Sequence, residues 1–271
     1  MRYQIAAIDI DDTLIGPDGT ISVANAEAID RMRRAGTRIV LASGRSHANM
    51  LPFHQALELP PGPIVSAQGA VVRDVASGEV WHAHAMAPAD VAEVTESGRA
   101  LGFAVQHYRL DGIYLDARTR WTDYDQSRNA QAQRLVPDLL APAADDVVKV
   151  IWLGEPAAIA RAARVVPERF ADRLAVTPTD PEYLEFARGD VSKAAGLSVV
   201  AERFGVARER VVAFGDGNND VAMLQWAGLG VAMPHAMPAA LRAANIVAPA
   251  GDRETALARA VALLLDEAVA A

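Results

Sequence analysis

The chain has 271 residues, 51% hydrophobic and 22% charged, enough for two domains and a sizeable core in a water-soluble protein. A net charge of −8 excludes a general nucleic-acid binder, which needs a basic footprint, and the absence of cysteine excludes disulfides and thiolate metal sites. No apolar run reaches the ~18 residues of a membrane span, and Asp9 interrupts the first apolar run too early for a signal peptide, so a cytoplasmic protein without membrane or nucleic-acid partners is expected.

In chain order, residues 3–8 read as a buried strand, followed by a loop with the turn signal Pro17-Asp18-Gly19. Val23, Ala26, Ile29 and Met32 recur at near-helical spacing, with Ser22 as N-cap and Gly36 just past the end. A strand at 38–41, a helix at 46–57 and a strand at 63–66 continue the alternation. After Gly69 the texture changes. Residues 71–73 and 79–84 read as a hairpin through Ser77-Gly78, 89–101 as a helix, and 103–108 with 113–115 as a second hairpin. Residues 147–153 read as a strand, 157–170 as a helix and 183–186 as a short strand. From Val191 the alternation resumes: a helix to about 204, strands at 210–215 and 230–233, helices at 221–226 and 238–244, and an amphipathic helix at 254–265. The pattern predicts an α/β fold, with a Rossmann-like parallel-sheet core formed by residues 1–82 and 188–271 and an inserted α/β cap domain at 83–187.

Asp9 and Asp11 stand two apart at the end of the first strand, so their side chains leave on one side. Ligands of open α/β sheets sit beyond the carboxyl ends of strands. A carboxylate pair there is either a set of solvated caps or must be matched by a cation. A second cluster, Gly215-Asp216-Gly217-Asn218-Asn219-Asp220, follows the apolar strand 211–214. It imitates a calcium loop, but Val221 and Ala227 stand where that loop needs glycine and glutamate. Its glycine spacing also misses the dinucleotide fingerprint. Taken together, the two clusters point to an oxygen-ligand Mg²⁺ site between neighbouring strand ends, completed by water and a substrate phosphate. Ser43-Gly44-Arg45 opens a helix whose free N–H groups suit a phosphate, although a plain serine N-cap explains the same residues. Lys193 falls in the first turn of a helix, where a lysine is disfavoured unless an anion lies nearby, or is simply solvated.

These pieces resemble the haloacid dehalogenase superfamily of aspartate-dependent phosphohydrolases. Its four motifs correspond to Asp9-Ile10-Asp11-Asp12-Thr13-Leu14, Ser43 with Gly44-Arg45, Lys193, and residues 215–220. The long insertion between the second and third motifs, Val191-Ser192-Lys193 and Ala222-Met223-Leu224 resemble its Cof-type (subfamily IIB) sugar-phosphatase branch. The resemblance implies that Asp9 attacks phosphorus and Asp11 serves as general acid, then base. It implies Mg²⁺ held by Asp9, the Asp11 main-chain carbonyl and Asp216. Ser43, Gly44, Lys193 and Asn219 would bind phosphate or substrate, Thr13 would support the loop, and Asp220 would orient Lys193 or metal waters. The implied substrate is a small phosphorylated metabolite, a sugar or polyol phosphate, and no oligomeric state is implied. A phosphotransferase or mutase on the same core remains open, as does a phospho-accepting signalling module, against which the large insertion argues.

The chain departs from the family pattern at several points. Gln68 stands where asparagine is usual, Pro234-His235 replaces Gly-Asn, Asp190 and Ala194 replace glycines, and Asp12 also stands where many relatives carry glycine. His82 and His84 read as surface histidines rather than metal ligands, and Arg31, Arg33 and Arg34 as a solvated helix face. Trp121 and Tyr124 in a cap loop, and Asp180, Tyr183 and Glu185 before the third motif, are weaker candidates for substrate contacts.

Overall fold

The structure is a computed structural model, and it describes residues 2–141 and 145–270. The chain divides into two compact units, Met1–His82 with Ser192–Ala271 and Ala83–Val191.

The first part of the core unit contains β1 (Ile5–Ile8), α1 (Val23–Arg34), β2 (Arg38–Leu41), α2 (His47–Ala56), β3 (Pro63–Ser66), β4 (Val71–Asp74) and β5 (Val80–Ala83). The insertion contains α3 (Pro88–Ala100), β6 (Ala104–Arg109), β7 (Ile113–Leu115), α4 (Arg120–Arg128) and β8 (Gln133–Leu135). It continues with β9 (Val147–Leu153), α5 (Pro156–Phe170), β10 (Leu174–Asp180) and β11 (Tyr183–Arg188). The core then resumes with α6 (Lys193–Arg203), β12 (Val211–Gly215), α7 (Val221–Trp226), β13 (Leu229–Ala232), α8 (Pro238–Ala243), β14 (Ile246–Val247) and α9 (Ala256–Ala270).

The core sheet is parallel, in the order β14-β13-β12-β1-β2. Successive residues of β1 alternate between two apolar layers. Ala6 and Ile8 pack with α1, α2 and α9, while Ile5 and Ala7 pack with α6, α7 and α8. A strand covered on both faces is why residues 5–8 are uninterruptedly apolar. Ile8 pairs with Phe214 and Leu41, so the residues following β1, β2 and β12 leave the sheet at one end. The third strand of the sequence reading does not extend this sheet. β3 touches it through a single bridge, Ala42 to Val65, and pairs antiparallel with β4 in a separate sheet, β3-β4-β5. Residues 67–69 reverse the chain there.

The insertion forms a mixed sheet ordered β10-β11-β9-β6-β7-β8, with only β7 and β8 parallel. Its apolar face packs on α3 and α5 through Val105, Val150, Trp152, Leu184 and Phe186, and Trp152 Nε1 donates to the Val94 carbonyl at 3.1 Å. Four elements escape the sequence patterns, the short β8 and β14 among them. β10 carries Pro178, which an edge strand tolerates because proline lacks an N–H and the open side of an edge strand needs no donor. The segment read as a loop around Trp121 and Tyr124 is helix α4, started by reciprocal bonds between Thr119 and Thr122. Among the described residues no helix is long and apolar enough to cross a membrane.

Candidate active site

The loop after β1 continues the sheet for one residue, Asp9 N–H donating to the Phe214 carbonyl at 3.1 Å, and then curls so that Leu14 N–H reaches the Asp9 carbonyl. The loop after β12 closes on itself. Asp220 Oδ2 accepts from the main-chain N–H of Asp216 at 2.9 Å and of Gly217 at 2.8 Å. Gly215 is required for this closure, because a Cβ there would sit 2.6 Å from the Asp220 side chain. Met233 and Met237 N–H groups hold the carbonyls of Gly215 and Asp216 at 3.0 and 2.7 Å.

Between the two loops stands Lys193 at the start of α6, after the Ser192 N-cap. Its side chain is fully buried and its ammonium donates to Asp9 Oδ1 and, at 2.6 Å, to Asp220 Oδ1. The anion expected beside a first-turn lysine is thus a pair of carboxylates. Burial works to lower its pKa, but the charges of Asp220 and Asp9 outweigh it and hold the ammonium above the ordinary lysine value. Asp216 lies on the same cluster and accepts from Thr13 Oγ1 at 3.1 Å.

Asp9, Asp216 and Asp220 each bring a carboxylate oxygen within 4.8 Å of the others. Three carboxylates facing one lysine leave negative charge uncompensated. Burial, and then the charge of Asp220, push Asp9 well above the usual carboxylate range and Asp216 up to about 7. An all-oxygen, anion-rich donor set of this kind fits a hard divalent cation such as Mg²⁺. Asp220 spends both oxygens on Lys193 and main-chain N–H groups, so Asp9 and Asp216 have the freer lone pairs.

Asp11 lies apart from this cluster. Its carboxylate is gripped bidentately by Arg45, Nη2 to Oδ1 at 2.6 Å and Nε to Oδ2 at 3.0 Å. Only its main-chain carbonyl is left for the metal role that the resemblance implies. Ser43 is buried, and its Oγ accepts from Arg45 N–H at 3.2 Å in the loop leading to α2, with Gly44 between. Asn219 is exposed, and its Nδ2 donates to Gln68 Oε1 at 3.1 Å.

Some contributions were invisible in the motifs. Asp12 adopts φ 58°, the left-handed region, which accounts for glycine being common there. Two partners hold it: His235 Nε2 donates to the Asp12 carbonyl at 2.7 Å, and Arg253 pairs with its carboxylate at 3.0 Å. The non-standard Pro234-His235 therefore ties the β13 loop to the first acidic loop. Of the weaker candidates, Tyr183 donates its hydroxyl to Asp125 at 3.1 Å, and both oxygens of Glu185 accept from Lys149 at 3.1 Å. His84 lies 3.6 Å from Asp190, which Arg188 also holds.

The first unit is a parallel α/β core with a lysine–carboxylate centre at the ends of its strands, interrupted in sequence by a mixed α/β unit. A family model of haloacid dehalogenase-like hydrolases matches residues 6–261, and the chain belongs to that family. It is a phosphatase of the haloacid dehalogenase type. It is 29% identical to a pyridoxal phosphate phosphatase of Escherichia coli over 94% of this chain and 96% of the relative. It is 28% identical to a 5-amino-6-(5-phospho-D-ribitylamino)uracil phosphatase of Bacillus subtilis over 90% of this chain and 91% of that one. A solved haloacid dehalogenase-like hydrolase from Bacteroides thetaiotaomicron superposes with a TM-score of 0.84 at 28% identity, covering 97% of this chain and 99% of the other. The subclass IIB sugar phosphatase BT4131 shares the fold, with a TM-score of 0.79 at 20% identity over 96% and 98% of the two chains.

Proposed function

We propose that the protein hydrolyses phosphate monoesters of a small metabolite, a sugar or polyol phosphate, through an aspartyl-phosphate on Asp9. The observation that carries this reading is the cluster of buried Asp9, Lys193 and Asp220 with half-buried Asp216 beside the Ser43 loop. The relatives that act on pyridoxal phosphate and on a phosphorylated ribityl compound support a small phosphorylated substrate.

In this reading Lys193, the Ser43 hydroxyl, Gly44 N–H and the Asn219 amide bind the phosphoryl oxygens. An Asp9 oxygen attacks phosphorus, the ester P–O bond breaks, and Asp11 gives its proton to the departing alkoxide. Asp11, now a carboxylate, takes a proton from the water that attacks the acyl phosphate, and phosphate leaves with Asp9 restored. Asp9, the Asp11 carbonyl and Asp216 would hold Mg²⁺, which supplies charge neutralisation at the phosphoryl group. Thr13 orients Asp216, and Asp220 fixes Lys193 and its own loop. Arg45 sets the direction of the Asp11 carboxyl.

The test is steady-state phosphate release from a panel of phosphorylated sugars, polyols and pyridoxal phosphate with Mg²⁺. Release that is fastest with a sugar or polyol phosphate is expected, and no release from any monoester would overturn the reading. Adding an acceptor sugar separates hydrolysis from transfer.

A further inference from the structure

Ala67, Gln68 and Gly69 have φ values of 49°, 59° and 97°, so three consecutive residues occupy the left-handed region and two of them are not glycine. Such a non-glycine residue is strained and persists only where its surroundings over-determine it. Those surroundings are the proposed phosphate loop. Ala67 N–H donates to the Arg45 carbonyl at 2.9 Å and Gln68 N–H to the Ser43 carbonyl at 3.1 Å.

The strained turn lays the Gln68 side chain directly over Gly44. There is no room there even for a Cβ, which would collide with the Gln68 amide nitrogen. Its orientation is set by its other end, where Oε1 accepts from Asn219 at 3.1 Å. A primary amide whose oxygen is so engaged turns its two N–H donors the other way. Among the described residues, none accepts a hydrogen bond from Nε2. The chain thus spends backbone strain to place a donor pair between Ser43-Gly44 and Asn219. An asparagine, one methylene shorter, would not reach as far.

We propose that Gln68 is a substrate-contacting residue whose Nε2–H groups donate to the phosphoryl oxygens of the bound ester, alongside Ser43 and Asn219. This rests on the phosphatase reading above and adds to it a residue that lies outside the four motifs.

The test uses the full chain and inorganic phosphate as a competitive inhibitor of ester turnover, with Gln68→Glu and Gln68→Met. Glu keeps the shape and the acceptor for Asn219 but replaces the donor with a carboxylate. Met keeps the length and removes both. The inhibition constant for phosphate should rise roughly 30-fold or more in Gln68→Glu and about fivefold in Gln68→Met, as for loss of a charge-assisted hydrogen bond. kcat/KM should fall by a common factor for every ester, with thermal midpoints unchanged. A merely structural glutamine predicts the opposite for Glu, which preserves the Asn219 bond. Unchanged phosphate inhibition in Gln68→Glu overturns the inference, as does a change in the ranking of esters with phosphate inhibition intact. Should Gln68→Glu not fold, unchanged inhibition in Gln68→Met does the same. A wild type that neither binds phosphate nor hydrolyses any ester overturns the parent reading instead, and this inference with it.

Discussion

The core and the inserted unit each bury a carboxylate cluster, and they balance charge differently. In the insertion Asp125 is fully buried, yet its oxygens are satisfied by neutral donors: the Tyr108 and Tyr183 hydroxyls, the Asn129 amide and the Gln133 amide. Burial, and then the Asp125 charge, raise both tyrosine pKa values, so the phenols remain donors. Beside them Lys149 and Glu185 pair one to one. In the core three carboxylates share one lysine, and two of them are pushed up in pKa. Buried charge alone therefore does not mark a reactive site, since structural networks bury it too. Carboxylates that crowd one lysine and push one another up in pKa do, because such a cluster calls for a cation or a substrate group to complete it.

The largest expected effect follows from removing the nucleophile. Asp9→Asn should lower turnover by about 10³-fold or more with the fold retained, since it relieves rather than creates excess charge. Near-wild-type kcat in a contamination-free preparation would break the assignment. Chelation should come next: activity should vanish with EDTA, return with Mg²⁺ and return poorly with Ca²⁺, whose longer bonds and higher coordination misplace the groups. Mg²⁺ should also raise the thermal midpoint of the wild type and not of Asp216→Ala. A midpoint indifferent to Mg²⁺ in both would show that the core cluster is balanced after all.

Arg45→Ala should cost about 10²-fold with an alkyl phosphate, which needs its leaving oxygen protonated, and much less with p-nitrophenyl phosphate. Equal losses on both would reduce Arg45 to packing.

On the other side of the comparison, the insertion should show its titration in stability rather than in chemistry. Burial pushes His107 down to about 4, with Arg109 and Arg99 adding to it, while its Nε2 is 2.7 Å from Thr95 Oγ1. The unfolded chain takes up that proton near the ordinary histidine value and the folded chain only near 4. Stability is therefore full above the former and declines as pH falls between the two, by up to about 3 kcal/mol. Denaturant titrations from pH 7 to 4 should show this decline, and His107→Gln should flatten it. The smallest effect expected is that of Asp12→Gly. Relief at φ 58° offsets loss of the exposed Arg253 pair, leaving stability within about 1 kcal/mol of wild type.

Much of the core was legible because its signals are local. Apolar runs ending in acids place Asp9 and Asp216 at strand ends, and a lysine in a first helical turn demands an anion, which Asp9 and Asp220 supply. What escaped depends on partners remote in sequence. Nothing near Asp11 indicates that Arg45 grips it, and nothing near Gln68 indicates that its amide reaches Asn219, 151 residues away. Tyr183 and Glu185 look like free polar residues on a strand until Asp125 and Lys149 are brought to them. β10 was hidden by Pro178, which argues against a strand unless the strand is at an edge.

The most direct test of whether the unbalanced cluster is the reactive one is to trap its covalent intermediate. Asp11→Asn, which lacks the base for the second step, is mixed with p-nitrophenyl phosphate, whose departure needs no acid, and quenched with borohydride. Reduction of an aspartyl-phosphate converts that residue to homoserine, which peptide mass analysis locates. Homoserine at residue 9 is the expected result. Label on another residue, or none while p-nitrophenol is released, would contradict the assignment of Asp9.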